Sequence, residues 1–312
     1  MSSGSPTLPS MVKPFSDEGR RNSITPGLGR RRAFCGVLAA VLGASAAPYA
    51  QFRSGVNAVE VYAAVVDRNG APVTGLGRGD FTLLEDGRAQ TITTFAEADF
   101  PLSIAVALDR SFSMKSQLPS AVSATRTFLG ELRSADQSMI VGIGSEIETL
   151  APLSTDREAQ MRMLDALQPW GTTGLHDAII QSIDAIQTAS GRRALVLLSD
   201  GNDRYSNASA PDALARARRS DVMVYPVTLG KTRPPLFAEL AALTGGRSFQ
   251  PRDPADLVTT MRTIANELRH QYLLGYTPSR PIVAGEEQWR AIAVRVNRSD
   301  VSVRARDGYL AR

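Results

Sequence analysis

The sequence predicts an α/β protein with an open, doubly wound, mainly parallel sheet and helices on both faces. A small β-sandwich-like domain, built from the flanking segments, accompanies it. Three observations predict this. Continuous apolar runs alternate with helix-spaced segments over residues 101–270. Strand-like segments with turn signals precede them over 52–100 and return over 271–312. The chain is 43% apolar and 21% charged over 312 residues, an ordinary globular balance with length enough for a sizeable core.

Residues 1–50 stand apart. "GRRRAFCGVLAAVLGASAAPYA" (29–50) has the three parts of a secretory signal: Arg30–Arg32, the short apolar run 33–44, then small residues. Cleavage fits after Ala44-Ser45-Ala46 or at the end of "APYA". "RRAF" (31–34) resembles the twin-arginine export motif. The run is small-residue-rich and stops at Pro48, which makes it a poor membrane span. An uncleaved anchor is the alternative, and the only route to membrane contact. Met11 offers a second start. The expected location is therefore periplasmic, cell-envelope or secreted. Cys35, the only cysteine, lies in this leader, so the exported chain is expected to have no disulfide and no thiolate chemistry.

The leader also explains the charge. Lys13, Arg20, Arg21, Arg30, Arg31 and Arg32, against Asp17 and Glu18, account for the whole chain's formal +4. The pI of about 9.4 thus belongs to the leader, and no nucleic-acid partner is expected.

The elements follow in order. "AVEVYAAVV" (58–66) is rich in β-branched residues and stops at the turn signal "DRNG" (67–70). "DFTLLEDG" (80–87) and "QTITTFAE" (90–97) read as strands about a turn at Gly87. "LSIAVALD" (102–109), "SMIVGIG" (138–144), "RALVLLSD" (193–200) and "DVMVYPVTLG" (221–230) are apolar throughout, as parallel strands covered on both faces are. Between them, residues 118–133, 174–187 and 209–219 have helical spacing and cap-like starts. Residues 236–246 read as a helix ended by glycine. "QYLLGYTP" (271–278), "RAIAVRVNR" (290–298) and "VSVRARDGY" (301–309) return to strand character. The last block, 271–312, is expected to pack with 52–100, the α/β domain of 101–270 being inserted between them.

Two predicted strands end in oxygen donors, "ALDRSFS" (107–113) and "LLSDGND" (197–203), and "WGTTGLHDA" (170–178) adds two threonines. Asp109, Ser111, Ser113, Thr173 and Asp200 can therefore meet at one edge of the sheet. Carboxylates and hydroxyls without nitrogen or sulfur suit a hard cation such as Mg²⁺. Serines at i and i+2 of an extended segment point the same way.

This ordered set resembles the metal-ion-dependent adhesion site of von Willebrand factor type A domains: D-x-S-x-S, a later Thr, then Asp followed by Gly. Over residues 56–310 the chain resembles bacterial von Willebrand-A-related proteins. There a segment like "PVTGLGRGDFTLLEDG" precedes the domain, and segments like "YLLGY" and "VRARDGY" follow it. The resemblance implies a von Willebrand A-like fold and a metal, Mg²⁺ with Mn²⁺ or Ca²⁺ as alternatives. Ser111, Ser113 and Thr173 would hold it directly, with Asp109 and Asp200 direct or through water. It further implies a non-enzymatic adhesion or assembly module whose metal accepts an Asp or Glu carboxylate from a protein partner. Phe112 departs from the pattern, which often has Gly there, and is expected to narrow access or reshape the loop.

Other features carry blander expectations. Asn202 and Asp203 read as solvated turn residues, and Asp177 as a helix-start stabiliser. His176 reads as a packing or surface residue: "GIGSE" (142–146) lacks the nucleophile-elbow pattern that would give it a serine partner. His270 lies at a predicted helix end. Trp170 reads as core, or as a partner contact if exposed, and "RARR" (216–219) as a solvated helix face. Two other functions remain open: a metal-assisted hydrolase using the same oxygens, and a structural envelope protein with a vestigial site.

Overall fold

In the computed structural model, β1 (Val59–Asp67), β2 (Phe81–Glu85), β3 (Arg88–Gln90) and β4 (Ile92–Glu97) open the chain. The structure describes residues 58–97, 100–283 and 285–312. The leader, its export motif, its cleavage sites and Cys35 lie outside the described residues.

β5 (Leu102–Asp109) follows, buried at all eight positions. Then come α1 (Leu118–Glu131), β6 (Gln137–Ile143), β7 (Ile147–Ser154), α2 (Arg157–Asp165), α3 (Leu175–Ile186) and β8 (Arg192–Ser199). The α/β part ends with α4 (Ala210–Arg218), β9 (Val222–Thr228), α5 (Pro235–Thr244) and α6 (Pro254–Arg269). β10 (Gln271–Tyr276), β11 (Gln288–Val296), β12 (Val301–Arg304) and β13 (Gly308–Ala311) complete the chain.

The central sheet has the order β7-β6-β5-β8-β9. β6, β5, β8 and β9 are parallel; β7 closes one edge antiparallel to β6. Alternation along β5 divides the core. Ile104, Val106 and Leu108 face one cluster with Phe128 of α1 and Met261 and Ile264 of α6. Ala105 and Ala107 face a second with Ile179 and Ile183 of α3 and Phe237 of α5. Helices on both faces are why these strands are apolar at every position.

The remaining strands form two four-stranded antiparallel sheets, β12-β1-β10-β4 and β13-β11-β2-β3. Val61, Ala63, Val65, Phe81, Leu83, Tyr272 and Leu274 fill the space between them. β1 pairs with β10 from Val59↔Tyr276 to Ala64↔Gln271, joining segments from before and after the α/β part.

Residues 301–309 differ from the expected single strand. β12 joins β1, whereas β13 joins β11 in the other sheet. The turn between them is held elsewhere: Asp307 N–H donates to Leu243 O of α5 at 3.1 Å. β7 and α2 add to the predicted elements, and α6 is the helix whose predicted end lies at His270, its C-cap. α2 and α6 have standard caps, Asp156 accepting from Ala159 N and Asp253 from Ala255 N and Asp256 N.

Candidate metal centre

Asp109 closes β5, where the strand is held on both sides by β6 and β8. Its carboxylate is fully buried. One oxygen accepts Ser111 N–H at 3.0 Å and the other accepts the Ser199 hydroxyl at 2.6 Å. Burial pushes the Asp109 carboxyl above its ordinary pKa. The Ser199 and Ser111 bonds pull against that shift, and the charge of Asp200 adds to it.

The chain then leaves the sheet in a short turn, Phe112–Met114. Met114 is fully buried and anchors the turn. Ser111 Oγ and Ser113 Oγ lie 3.1 Å apart. Backbone bonds fix the turn to the threonine loop: Phe112 N–H donates to Gly171 O at 3.0 Å, and Trp170 N–H to Arg110 O at 2.7 Å. Arg110 stacks on Trp170 at 5.2 Å and pairs with Glu148 at 2.7 Å. Gly171 is required here. Its φ is +73°, and a Cβ would lie 2.6 Å from Ser145 Oγ.

Thr173 is buried, and its carbonyl accepts Arg204 N–H and Tyr205 N–H at 3.0 and 3.1 Å. Thr172 is exposed and contacts Ser145 instead. Asp200 follows β8, accepting Asn202 N–H at 3.0 Å. Gly201 turns with φ +84°, where a Cβ would strike the Pro234 ring.

The structure corrects the reading of Asp203. It is no solvated turn residue but a clamp. Gly174, the N-cap of α3, has no side chain, and Asp203 Oδ1 accepts Leu175 N–H at 2.7 Å and His176 N–H at 3.3 Å in its place. Ser206 supports it, accepting His176 N–H and Asp177 N–H and donating to Asp203. Asp177 in turn accepts Asn207 N–H and Ala208 N–H at 2.8 and 2.9 Å. The loop after β8 is thereby tied to the start of α3, and the Thr173 carbonyl accepts two of that loop's N–H groups. The cluster of Asp, Ser and Asn in "NDRYSNAS" (202–209) was the available signal. His176 is partly buried, its Nδ1 3.1 Å from Ala208 O. In "RARR", Arg218 and Arg219 are exposed, as a solvated helix face requires, and pair with Asp307 and Glu287; Arg216 is half-buried and pairs with Asp184 of α3 at 2.6 Å.

The donor set fits a hard divalent cation. Adjacent ligands of an octahedral Mg²⁺ at ~2.1 Å stand about 3 Å apart, which is the spacing of the two serine oxygens. Among the described residues no cluster of three His, Cys, Asp or Glu side chains is arranged for a metal. A cation here would depend on hydroxyls as much as on carboxylates. Three aromatic residues of the surrounding loops are solvent-facing: Phe112 is 63% exposed, Trp170 40% and Tyr205 61%.

Residues 104–202, which include the five oxygen donors, match the family model of the von Willebrand factor type A domain. Among solved structures, a von Willebrand factor type A protein from Catenulispora acidiphila is similar over 81% of this chain and 73% of its own, at 14% identity and TM-score 0.51. An aerotolerance-related membrane protein from Bacteroides fragilis is similar over 53% of this chain and 99% of its own, at 17% identity and TM-score 0.44. The von Willebrand factor domain of the type V pili tip protein Mfa5 from Porphyromonas gingivalis is similar over 54% and 95%, at 13% identity and TM-score 0.45. No curated protein matches the chain. At these identities the likeness is one of fold.

Proposed function

We propose that this chain, which carries a von Willebrand factor type A domain at residues 104–202, is an exported protein-binding module that uses a divalent cation to grip an acidic partner residue. Ser111, Ser113 and Thr173 would hold the cation directly, and Asp109 and Asp200 directly or through its waters. When bound, the cation supplies a positive centre for a partner's Asp or Glu carboxylate. The observation that carries this reading is the pair of serine hydroxyls 3.1 Å apart beside the buried Asp109 carboxylate.

The chain's own residues do the rest. Asp109, braced by Ser199, holds the serine turn at the strand end. Asp203 holds the start of α3, next to Thr173 in the chain, through Leu175 N–H and His176 N–H. Phe112, Trp170 and Tyr205 offer apolar surface around the grip, which favours a carboxylate flanked by apolar side chains. The Phe112 ring faces solvent, in position to meet a partner beside the cation.

Panning a random peptide library on the full chain tests this. Peptides retained in Mg²⁺ and released by chelator are expected to be rich in Asp or Glu beside aliphatic or aromatic residues. Equal retention on Asp109→Ala, or no acidic enrichment, would contradict the proposal.

A further inference from the structure

At the opposite end of the central sheet lies a cavity of about 480 Å³, set among the starts of β8 and β9 and strands β1 and β13. β8 runs from this cavity to the metal-centre edge, a distance of roughly 25 Å for eight extended residues. The two sites are therefore separate.

Arg192, Arg193, Arg218, Arg219 and Arg306 all line the cavity, against the carboxylates of Glu60 and Asp221. Their roles differ. Arg192 is structural: it donates to Leu268 O, Gln271 Oε1 and Phe100 O, and has no remaining exposure of note. Arg193 pairs with Asp221. Arg218 and Arg219 pair only with half-exposed carboxylates, Asp307 at 3.2 Å and Glu287 at 3.6 Å. Such pairs are weak and exchangeable.

Arg306 is the anomaly. It donates to one backbone oxygen, Glu60 O at 3.0 Å, and stacks on Tyr309 at 5.6 Å. It forms no ion pair with any described carboxylate, and its Nε has no acceptor. A guanidinium offers five N–H donors in a planar fork. Arg306 is half-buried at the cavity wall, where desolvation lowers its pKa and the charges of Asp221 and Glu60 offset this only in part. The volume falls within the range of small-molecule sites, about 300–1,000 Å³.

We infer that this cavity binds a small multivalent oxyanion, bearing phosphoryl or carboxylate groups that Arg306, Arg218 and Arg219 engage. Guanidinium forks match both groups through paired N–H bonds.

The test is calorimetric titration of the full chain, without divalent cation and at constant ionic strength, with pyrophosphate and with citrate as separate probes. Saturable one-to-one binding of at least one probe is expected, with a matching rise in melting temperature. Pyrophosphate alone would identify the phosphoryl source, citrate alone the carboxylate source, and both the shared oxyanion chemistry. Arg306→Gln is expected to weaken binding at least tenfold, and the exposed Arg219→Gln several-fold. Arg219→Gln decides the matter if Arg306→Gln fails to fold. No saturable binding by either probe, or binding undiminished in the folded variants, would overturn the inference.

Discussion

Asp109 is a carboxylate with no exposure, placed near a second carboxylate at Asp200. Its folded pKa is raised, so the folded protein holds this proton to higher pH than the unfolded chain does. Stability contributed by this group falls as pH rises from the ordinary carboxylate range through the folded pKa. At neutral pH, without cation, its charge is a cost. Asp109→Asn is thus expected to raise the melting temperature in chelator while abolishing any rise on adding Mg²⁺. A lower melting temperature in chelator would contradict this reading. Phe112→Ala is expected to leave Mg²⁺ affinity unchanged and to weaken capture of the selected acidic peptides roughly tenfold. The placement of Asp109 at the end of β5 and of Asp200 just after β8 was legible because an apolar strand that stops at a carboxylate marks its own end. The exposure of Phe112, Trp170 and Tyr205 was not, since loop packing decides which way a ring faces. Asp203 was missed because its partners at Leu175 and His176 lie far from it in sequence.

Among the elements, α3 depends most on a distant residue. Its N-terminus has glycine at the cap and takes Asp203 as acceptor. Asp203→Ala is expected to cost about 1–2 kcal/mol of stability, as loss of a helix cap does, and also to lower Mg²⁺ affinity by loosening Thr173. Denaturant melts paired with Mg²⁺ titration separate the two effects. In the sandwich, Glu85 of β2 is buried with Arg290 of β11 at 3.3 Å and accepts Tyr276 and Tyr309 hydroxyls at 2.7 and 2.9 Å. Glu85→Ala would strand a buried guanidinium and is expected to cost about 3–5 kcal/mol, measurable by denaturant melts. The apolar strands and amphipathic helices were legible because covering on two faces leaves an unmistakable pattern. β7 was not: its Glu148 and Pro152 suit an edge strand and blur the apolar signal. β12 and β13 read as one strand because alternation continues across Ala305–Asp307, whereas contact with α5 turns the chain there.

At the scale of the molecule, the sheet has two chemical ends. Hydroxyls and carboxylates gather after β5 and β8, and arginines gather where β8 and β9 begin. The antiparallel sheets are tied to the α/β part by side chains as well as by the chain: Arg304 of β12 pairs with the buried Glu267 of α6 at 2.5 Å, and Glu267 accepts the Tyr225 hydroxyl of β9 at 3.0 Å. The central claim concerns the oxygen-rich end alone, and calorimetric titration of the full chain with Mg²⁺ tests it most directly. One saturable site is predicted for the native sequence and none for Asp109→Ala, the two having matching circular dichroism. A folded native protein that takes up no Mg²⁺, or an Asp109→Ala protein that binds it equally well, would contradict the account.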